Sequence, residues 1–547
     1  MSKHRFVIIC ILFAGALLLF WFNGGGSLKW VQRQNHPPLA DEQPSPRNLS
    51  DYANDSMLLD EKISIDYNNT KEEEFLRLLQ QVNPQNDWVV STNDPAVAKI
   101  IENPEAFGLE VIDELSDLAA IRLRILNPKA AYPSLLGLIE REVIGVNFPI
   151  RQPLPPRTEV VNESHIFSGS FLEWLGGSSK RNHFGAGVKV AVIDSGIDSN
   201  HPSLSKTNVK LNKSILGDNL EQISADNSHG TAIASVIAGQ GDVVTGIAPA
   251  AEILSYRVTD REGISDSFTV ASAILHAIED GADVINISLG GEEGSEILRR
   301  AVSYALEQEV PVVASVGNDG IGLVNYPAAY DGVIGVTSVG VSGAVANFSN
   351  FGDGVDFGAP GVGVLTASDS RDMANFSGTS ISAAMVTGAI AMQLGLNPGL
   401  SPTEIEKLLV KFSNESGKPG RDKVSGHGVL SLARLENQNN PDYTDAAISG
   451  FYFDLPKGSS AGTIPFDVVI QNQGNTYLNN LSLDVNYLGT NRKFLIGGLA
   501  RGEIRTEKLY VQGSEFGNEL KISATLKQND FPDSKPENNQ RISVFKF

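Results

Sequence analysis

The sequence predicts an α/β fold built on a parallel sheet with helices on both faces, preceded by a small α+β domain and followed by an all-β sandwich. Three observations carry this reading. Between about Ile166 and Leu435, short apolar runs rich in β-branched residues alternate with amphipathic segments, as in a parallel sheet buried on both sides. Ahead of that region lies a compact succession of strand and helix signals; after Asn437 the helix signals stop and short alternating strands take over. At 547 residues the chain also exceeds a single core, which rarely grows past roughly 250–300 residues.

Residues 1–23 form a leader. Lys3 and Arg5 precede an apolar run from Phe6 to Phe22, about 25 Å long as a helix at ~1.5 Å per residue. No small-x-small cleavage site follows, so the run reads as an uncleaved signal anchor and membrane contact through residues 6–22, with a cleaved signal peptide as the alternative. The positive-inside rule puts the rest of the chain outside the cytoplasm, periplasmic or at the cell surface, or secreted if the leader is removed. Residues 24–69 are rich in Gly, Pro, Asn, Asp and Ser without periodicity and read as a flexible linker.

Within residues 70–160 a strand is expected at Trp88–Ser91, a helix at Pro95–Glu102, a strand pair over Leu109–Ile125, and a helix from Tyr132 leading to a strand at Gly145–Phe148. Residues 161–437 carry strands at Val188–Ile193, Glu252–Val258, Val284–Ser288, Val310–Ser315 and Val333–Val339. Helices follow His229 and span Asp266–Glu279, Glu296–Gln308 and Pro402–Phe412. Residues 438–547 show strands at Phe451–Phe453, Phe466–Ile470, Leu481–Tyr487, Glu507–Val511, Leu520–Leu526 and Ile542–Phe545.

The net charge is −21 and there is no long basic run, which argues against nucleic-acid binding because phosphate contacts need clustered Lys and Arg. The one cysteine, Cys10, lies in the leader. The remaining chain has no internal disulfide, Cys-ligated zinc or cysteine nucleophile available to it.

Chemistry concentrates at Phe376–Gly388, where a glycine turn delivers a hydroxyl at the start of a small-residue helix. Ser380 is the candidate nucleophile; a serine needs a base to take its proton and donors to hold the oxyanion it creates. An Asp ends a buried strand at Asp194-Ser195-Gly196, and a His opens another small-residue helix at Ser228-His229-Gly230. Alone, each has a plain structural role, Ser380 as a helix cap, His229 as a core histidine, Asp194 as a turn cap.

Taken together with Asn286–Gly291, Ala314–Asn318 and Phe357–Gly361, these stretches resemble the subtilisin family of serine endopeptidases over about half the chain. The resemblance implies a catalytic triad of Asp194, His229 and Ser380, in which His229 is general base then acid and Asp194 holds its tautomer. It implies that Asn318 donates its amide to the oxyanion beside the Ser380 N–H, and that Ser288, Leu289, Gly290, Ala314, Ser315 and Val316 line a channel where an extended polypeptide substrate adds as a strand. The domain before it resembles the family's inhibitory propeptide, with Ile150–Val161 as tail or linker. The C-terminal sandwich resembles bacterial adhesion-related domains that meet a surface or protein partner. The expected protein is a zymogen; the alternative is a catalytically silent binding protein using the peptidase fold as scaffold.

Some positions depart from the family pattern. Ala232 stands where a second His is usual, and Ile381, Ser382 and Ala384 replace Met, Ala and Pro. Ser203 replaces an acidic calcium ligand and Gly239–Thr245 is short for the usual loop, so no calcium, and no other cofactor, is expected. Gly458–Gly462 matches G-x-S-x-G but lies in a polar loop of an all-β region, outside the strand-turn-helix context that motif needs. Gly185-Ala186-Gly187 precedes a strand, the wrong side for a dinucleotide fingerprint. Asp319, Glu292 and Glu293 are read as acids rimming the pocket for the residue before the scissile bond, so that Lys or Arg is tolerated there and Glu is rejected.

Overall fold

A computed structural model describes residues 7–13, 16–23, 27–32, 62–66 and 87–546, except 142, 154–170, 179, 217–227, 242–243, 369–371, 417–419, 454–461, 514–518 and 529–531. The chain divides into two compact units, residues 1–147 with 295–297, and residues 148–294 with 298–547.

In the first unit, β1 (Val7–Phe13), β2 (Ala16–Asn23), β3 (Ser27–Gln32) and β4 (Lys62–Asp66) pair antiparallel in that order. This corrects two expectations. The apolar run is strand where a helix was expected, in keeping with its β-branched start Val7, Ile8, Ile9 and Ile11. Two stretches of the supposed linker, Ser27–Gln32 and Lys62–Asp66, are strands, and in the second the sequence alternates apolar Ile63 and Ile65 with polar residues. Among the described residues the one helix long and apolar enough to cross a bilayer is Thr379–Leu396, and 83% of it is buried inside the fold as a core helix.

The rest of the first unit is β5 (Asp87–Ser91), α1 (Pro95–Glu102), β6 (Leu109–Leu115), β7 (Ala120–Ile125), α2 (Pro128–Glu140) and β8 (Ile144–Val146), an antiparallel sheet in the order β6-β7-β5-β8. Both helices begin with Pro at N1 behind a capping side chain: Asp94 accepts from Ala96 N and Asn127 from Ala130 N. Trp88, Val90, Val97, Ile100, Leu123 and Leu135 fill its core.

The second unit opens with β9 (Pro149–Arg151). It then alternates β10 (Lys189–Asp194), β11 (Asn208–Ser214), α3 (Ser228–Ala238), β12 (Glu252–Arg257), β13 (Ile264–Asp266), α4 (Ser267–Glu279), β14 (Val284–Ile287), α5 (Glu296–Glu307), β15 (Val312–Ser315), β16 (Ile334–Val339) and β17 (Phe357–Pro360). A hairpin of β18 (Val364–Ala367) and β19 (Met373–Phe376) leads into α6 (Thr379–Leu396) and α7 (Pro402–Phe412). Seven strands form one parallel sheet, β11-β12-β10-β14-β15-β16-β17. Val190, Val192, Val284, Val313 and Val336 join α3 and α6 in one core, while Ala191 and Ile193, on the opposite face by the strand period, lie outside it. The order runs outward from β10 in both directions, and β10 pairs with β12 on one side and β14 on the other. Sites in such sheets form at the carboxyl ends of the strands, where Asp194, Ser288 and Asn318 stand.

From Ala446 onward, β20 (Ala446–Phe453), β21 (Thr463–Asn472) and β24 (Ile504–Gln512) form one antiparallel sheet. A second comprises β23 (Thr490–Leu499), β22 (Leu478–Tyr487), β25 (Glu519–Lys527) and β26 (Gln540–Lys546). Phe466, Val468, Leu483, Val485 and Ile522 build the core they share. This sandwich is in the same compact unit as the parallel sheet, and Tyr452 and Val469 are members of the larger core. Most of the loop holding Gly458–Gly462 lies outside the described residues.

Candidate active site

Asp194 ends β10, and its Oδ1 lies 2.7 Å from Nδ1 of His229, the second residue of α3. Both side chains are buried. Oδ1 also accepts the Ser195 N–H at 2.7 Å, while the Ser195 hydroxyl takes the Gly230 N–H at 3.1 Å, so the turn after β10 and the start of α3 are tied at two points. The Phe376 ring packs on the imidazole with centroids 5.3 Å apart. Nε2 of His229 is buried and has no hydrogen-bond partner among the described residues. An imidazole whose one nitrogen is held by a carboxylate is set to take a proton at the other.

Ser380 is the second residue of α6. The turn before it depends on Gly378, whose φ of 153° is one that L side chains rarely adopt and whose added Cβ would stand 3.0 Å from Asn318 Nδ2. The Ser380 hydroxyl donates to the Ser288 carbonyl at 3.3 Å, and Ser288 Oγ donates to the Ser380 carbonyl at 3.1 Å. Asn286 Nδ2 supports Ser288 Oγ at 3.0 Å and its Oδ1 accepts Thr387 Oγ1 at 2.9 Å, locking α6 to β14. Asn318, just past β15, receives at Oδ1 both the N–H and the hydroxyl of Thr379, each at 2.9 Å.

The structure therefore brings together Asp194 with His229, Ser288 with Ser380, and Asn318 with the turn that carries Ser380. Leu289, Ala314, Ser315 and Val316 are buried at the ends of neighbouring strands β14 and β15. Gly290 is already engaged: it exchanges backbone hydrogen bonds with Arg151 of β9, N to O at 2.9 Å and O from N at 2.8 Å. On its other edge β9 pairs with β13, Ile264 to Arg151 and Ser265 to Ile150. Gly291 leaves room for this strand, since a Cβ there would stand 2.7 Å from the Pro149 carbonyl oxygen. Asp319 and Glu292 are exposed. Burial pushes the Glu293 carboxyl up, and adjacent Glu292 adds to it.

Sequence reasoning missed Thr379 as the residue that holds Asn318 Oδ1, and missed β13 as the strand that pairs with the other edge of β9. At the departures from the family pattern, Ser382 donates to the carbonyls of Ala359 and Pro360 at 2.9 and 3.1 Å. Ser203 binds His201 Nδ1 through its N–H at 3.1 Å. Among the described residues no three His, Cys, Asp or Glu side chains gather as a metal site.

The Subtilase family pattern matches residues 185–428. Thermitase of Thermoactinomyces vulgaris is 34% identical over 248 residues, 45% of this chain and 85% of that one. The chain belongs to the subtilase family. This subtilase is also 34% identical to a thermophilic serine proteinase of Bacillus sp. strain AK1, over 47% of its own length and 62% of the relative's. It is 35% identical to the minor extracellular protease Epr of Bacillus subtilis over 39% of that protein. It thus spans under two thirds of both Bacillus relatives. In fold it resembles fervidolysin of Fervidobacterium pennivorans, a keratinolytic enzyme related to subtilisin, with a TM-score of 0.56 and 20% identity, covering 84% of this chain and 91% of that one.

Proposed function

We propose that this subtilase is a serine endopeptidase that hydrolyses peptide bonds in extended polypeptide, is made as a zymogen, and works outside the cytoplasm. The observation that carries this reading is the buried Asp194–His229 contact of 2.7 Å, which holds Nδ1 and leaves the buried Nε2 without a partner among the described residues, while a glycine turn sets Ser380 at the start of α6.

The substrate backbone lies between β13 and Ser288–Gly290. Oγ of Ser380 attacks the scissile carbonyl as His229 Nε2 takes its proton, and the imidazolium formed is stabilised by Asp194. The oxyanion is received by the Ser380 N–H and the Nδ2 end of the Asn318 amide, whose Oδ1 accepts from Thr379. His229 returns the proton to the leaving amine, and water releases the acyl group by the reverse path.

The zymogen reading is supported by β9, a segment of this chain lying in the position of a substrate strand. The C-terminal sandwich is read as the part that meets a surface or protein partner. The scaffold alternative is disfavoured because Asp194, His229, Asn318 and Ser380 are all present, though nothing but catalysis needs them together.

The test is expression of the full chain as wild type and Ser380→Ala, following chain mass and casein hydrolysis. Self-shortening and casein cleavage by the wild type alone supports the reading. A folded chain that stays inert toward casein even with Ile150→Glu, which puts a charge at the buried position of β9 and displaces that segment, would remove it.

A further inference from the structure

Resting on the peptidase reading, we propose that Pro153 makes the β9 strap a docked but uncleavable strand, and that it does so by leaving the Ser288 carbonyl free to hold the nucleophile away from its base. Three observations converge on that carbonyl.

The first is register. Arg151 and Gly290 exchange both backbone hydrogen bonds, at 2.8 and 2.9 Å, and Gln152 N donates to the Gly263 carbonyl at 2.8 Å. Ile150 is fully buried. In an antiparallel pair two steps forward on one strand answer two steps back on the other, so residue 153 stands opposite Ser288. An ordinary residue there would give its N–H to the Ser288 carbonyl. Proline has none, and its Cδ occupies the space the hydrogen would have used.

The second is where the nucleophile points. Ser380 Oγ donates to that same Ser288 carbonyl at 3.3 Å. The third is the base: Nε2 of His229 is buried and has no partner among the described residues. A carbonyl oxygen cannot accept the serine proton outright, so a hydroxyl bonded to it is not activated. The strap thus fills the peptide edge without supplying the one N–H that would compete for Ser288 and release Oγ toward His229.

Replacing Pro153 with a residue that bears an N–H should turn the strap into a substrate. Oγ of Ser380 would bond to the carbonyl carbon of residue 153 while its proton passes to His229 Nε2. The peptide bond after residue 153 would then break, its nitrogen taking that proton, and water would hydrolyse the ester to leave a free carboxylate on residue 153.

The experiment compares the full chain as wild type, Pro153→Ala and Pro153→Ala with Ser380→Ala, reading new termini by mass and N-terminal sequencing, and Ser380 competence by labelling with a fluorophosphonate. The expected result is a new N-terminus at residue 154 that appears at least about tenfold faster in Pro153→Ala than in wild type and is absent from the double variant. If Pro153→Ala is cut there no faster than wild type while its Ser380 labels, the proposal is overturned and the peptidase reading stands. If Ser380 labels in neither chain, nor in an Ile150→Glu chain whose buried charge expels the strap, the peptidase reading fails and takes the proposal with it.

Discussion

Thr379 gives both its backbone N–H and its hydroxyl to Oδ1 of Asn318, each at 2.9 Å. The residue before Ser380 thereby fixes which way round the Asn318 amide lies. A side-chain amide alone could rotate about its last torsion; with one oxygen held by two donors, its NH2 is pre-aimed.

Thr379→Val keeps the volume and removes one of those two donors, leaving the other free to hold the oxygen more loosely. A neutral hydrogen bond is worth about 1 kcal/mol, so kcat should fall about five- to tenfold with KM little changed. Thr379→Ser should restore most of the loss. Steady-state kinetics on a peptide substrate decides it, and an unchanged kcat in Thr379→Val would show that the N–H suffices.

Gly378→Ala forces a side chain into φ 153° and sets a Cβ 3.0 Å from Asn318 Nδ2. Backbone strain of this kind costs roughly 1–3 kcal/mol. Because the atom it meets is the proposed oxyanion donor, activity should fall further than stability, about a hundredfold in kcat against a few degrees in Tm. Equal losses in both would mean that the strain is absorbed elsewhere.

The two parts of the second unit should unfold together. Tyr452 and Val469 lie on the sandwich strands β20 and β21 yet are buried in the core that holds α3 and α6. The Gln473 side chain donates to the carbonyls of Glu173 and Trp174, both at 3.2 Å, and Lys535 Nζ reaches the Gly176 carbonyl at 3.3 Å. Tyr452→Ala should therefore cost roughly 3 kcal/mol, as large aromatic deletions do, and lower a single calorimetric transition. Two transitions, with only one shifted, would show that the sandwich is an independent appendage.

Asp194, His229 and Ser380 were legible as candidates because each sits in a short contiguous motif whose local conformation, strand end or helix start, is written by its neighbours. Helices with cap and proline signals were equally plain, Pro95–Glu102 and Pro402–Phe412 matching to the residue. What escaped depends on pairing over distance. Pro149-Ile150-Arg151 has no strand signal of its own, since one proline and one arginine flank a single apolar residue, and it becomes a strand through β13 and Gly290. Likewise β23 begins Thr490-Asn491-Arg492-Lys493 and contains Gly497 and Gly498, so composition reads as turn, and its partner β22 makes it a strand. Thr379 was overlooked because its role is to another side chain 61 positions away.

The last prediction concerns pH. Asp445 is fully buried, and loss of solvation pushes its carboxyl up to about 6, against hydrogen bonds from Tyr443 Oη at 2.6 Å and Asn538 Nδ2 at 2.8 Å that pull it down. Asp533 nearby adds to the rise and Lys535 opposes it. Its folded pKa therefore lies above the unfolded one, near 4. A group raised in this way adds stability that is fully present below about pH 4 and is lost as pH climbs through about 6, roughly 2–3 kcal/mol in all. Asp445→Asn cannot titrate, and facing its amide toward Asn538 costs the same at every pH. Chemical denaturation of wild type and variant at pH 4.5 and 7.5 should thus show the wild type's advantage shrinking as pH rises. A gap that stays constant or widens would mean that the Tyr443 and Asn538 hydrogen bonds outweigh burial and keep Asp445 ionised throughout.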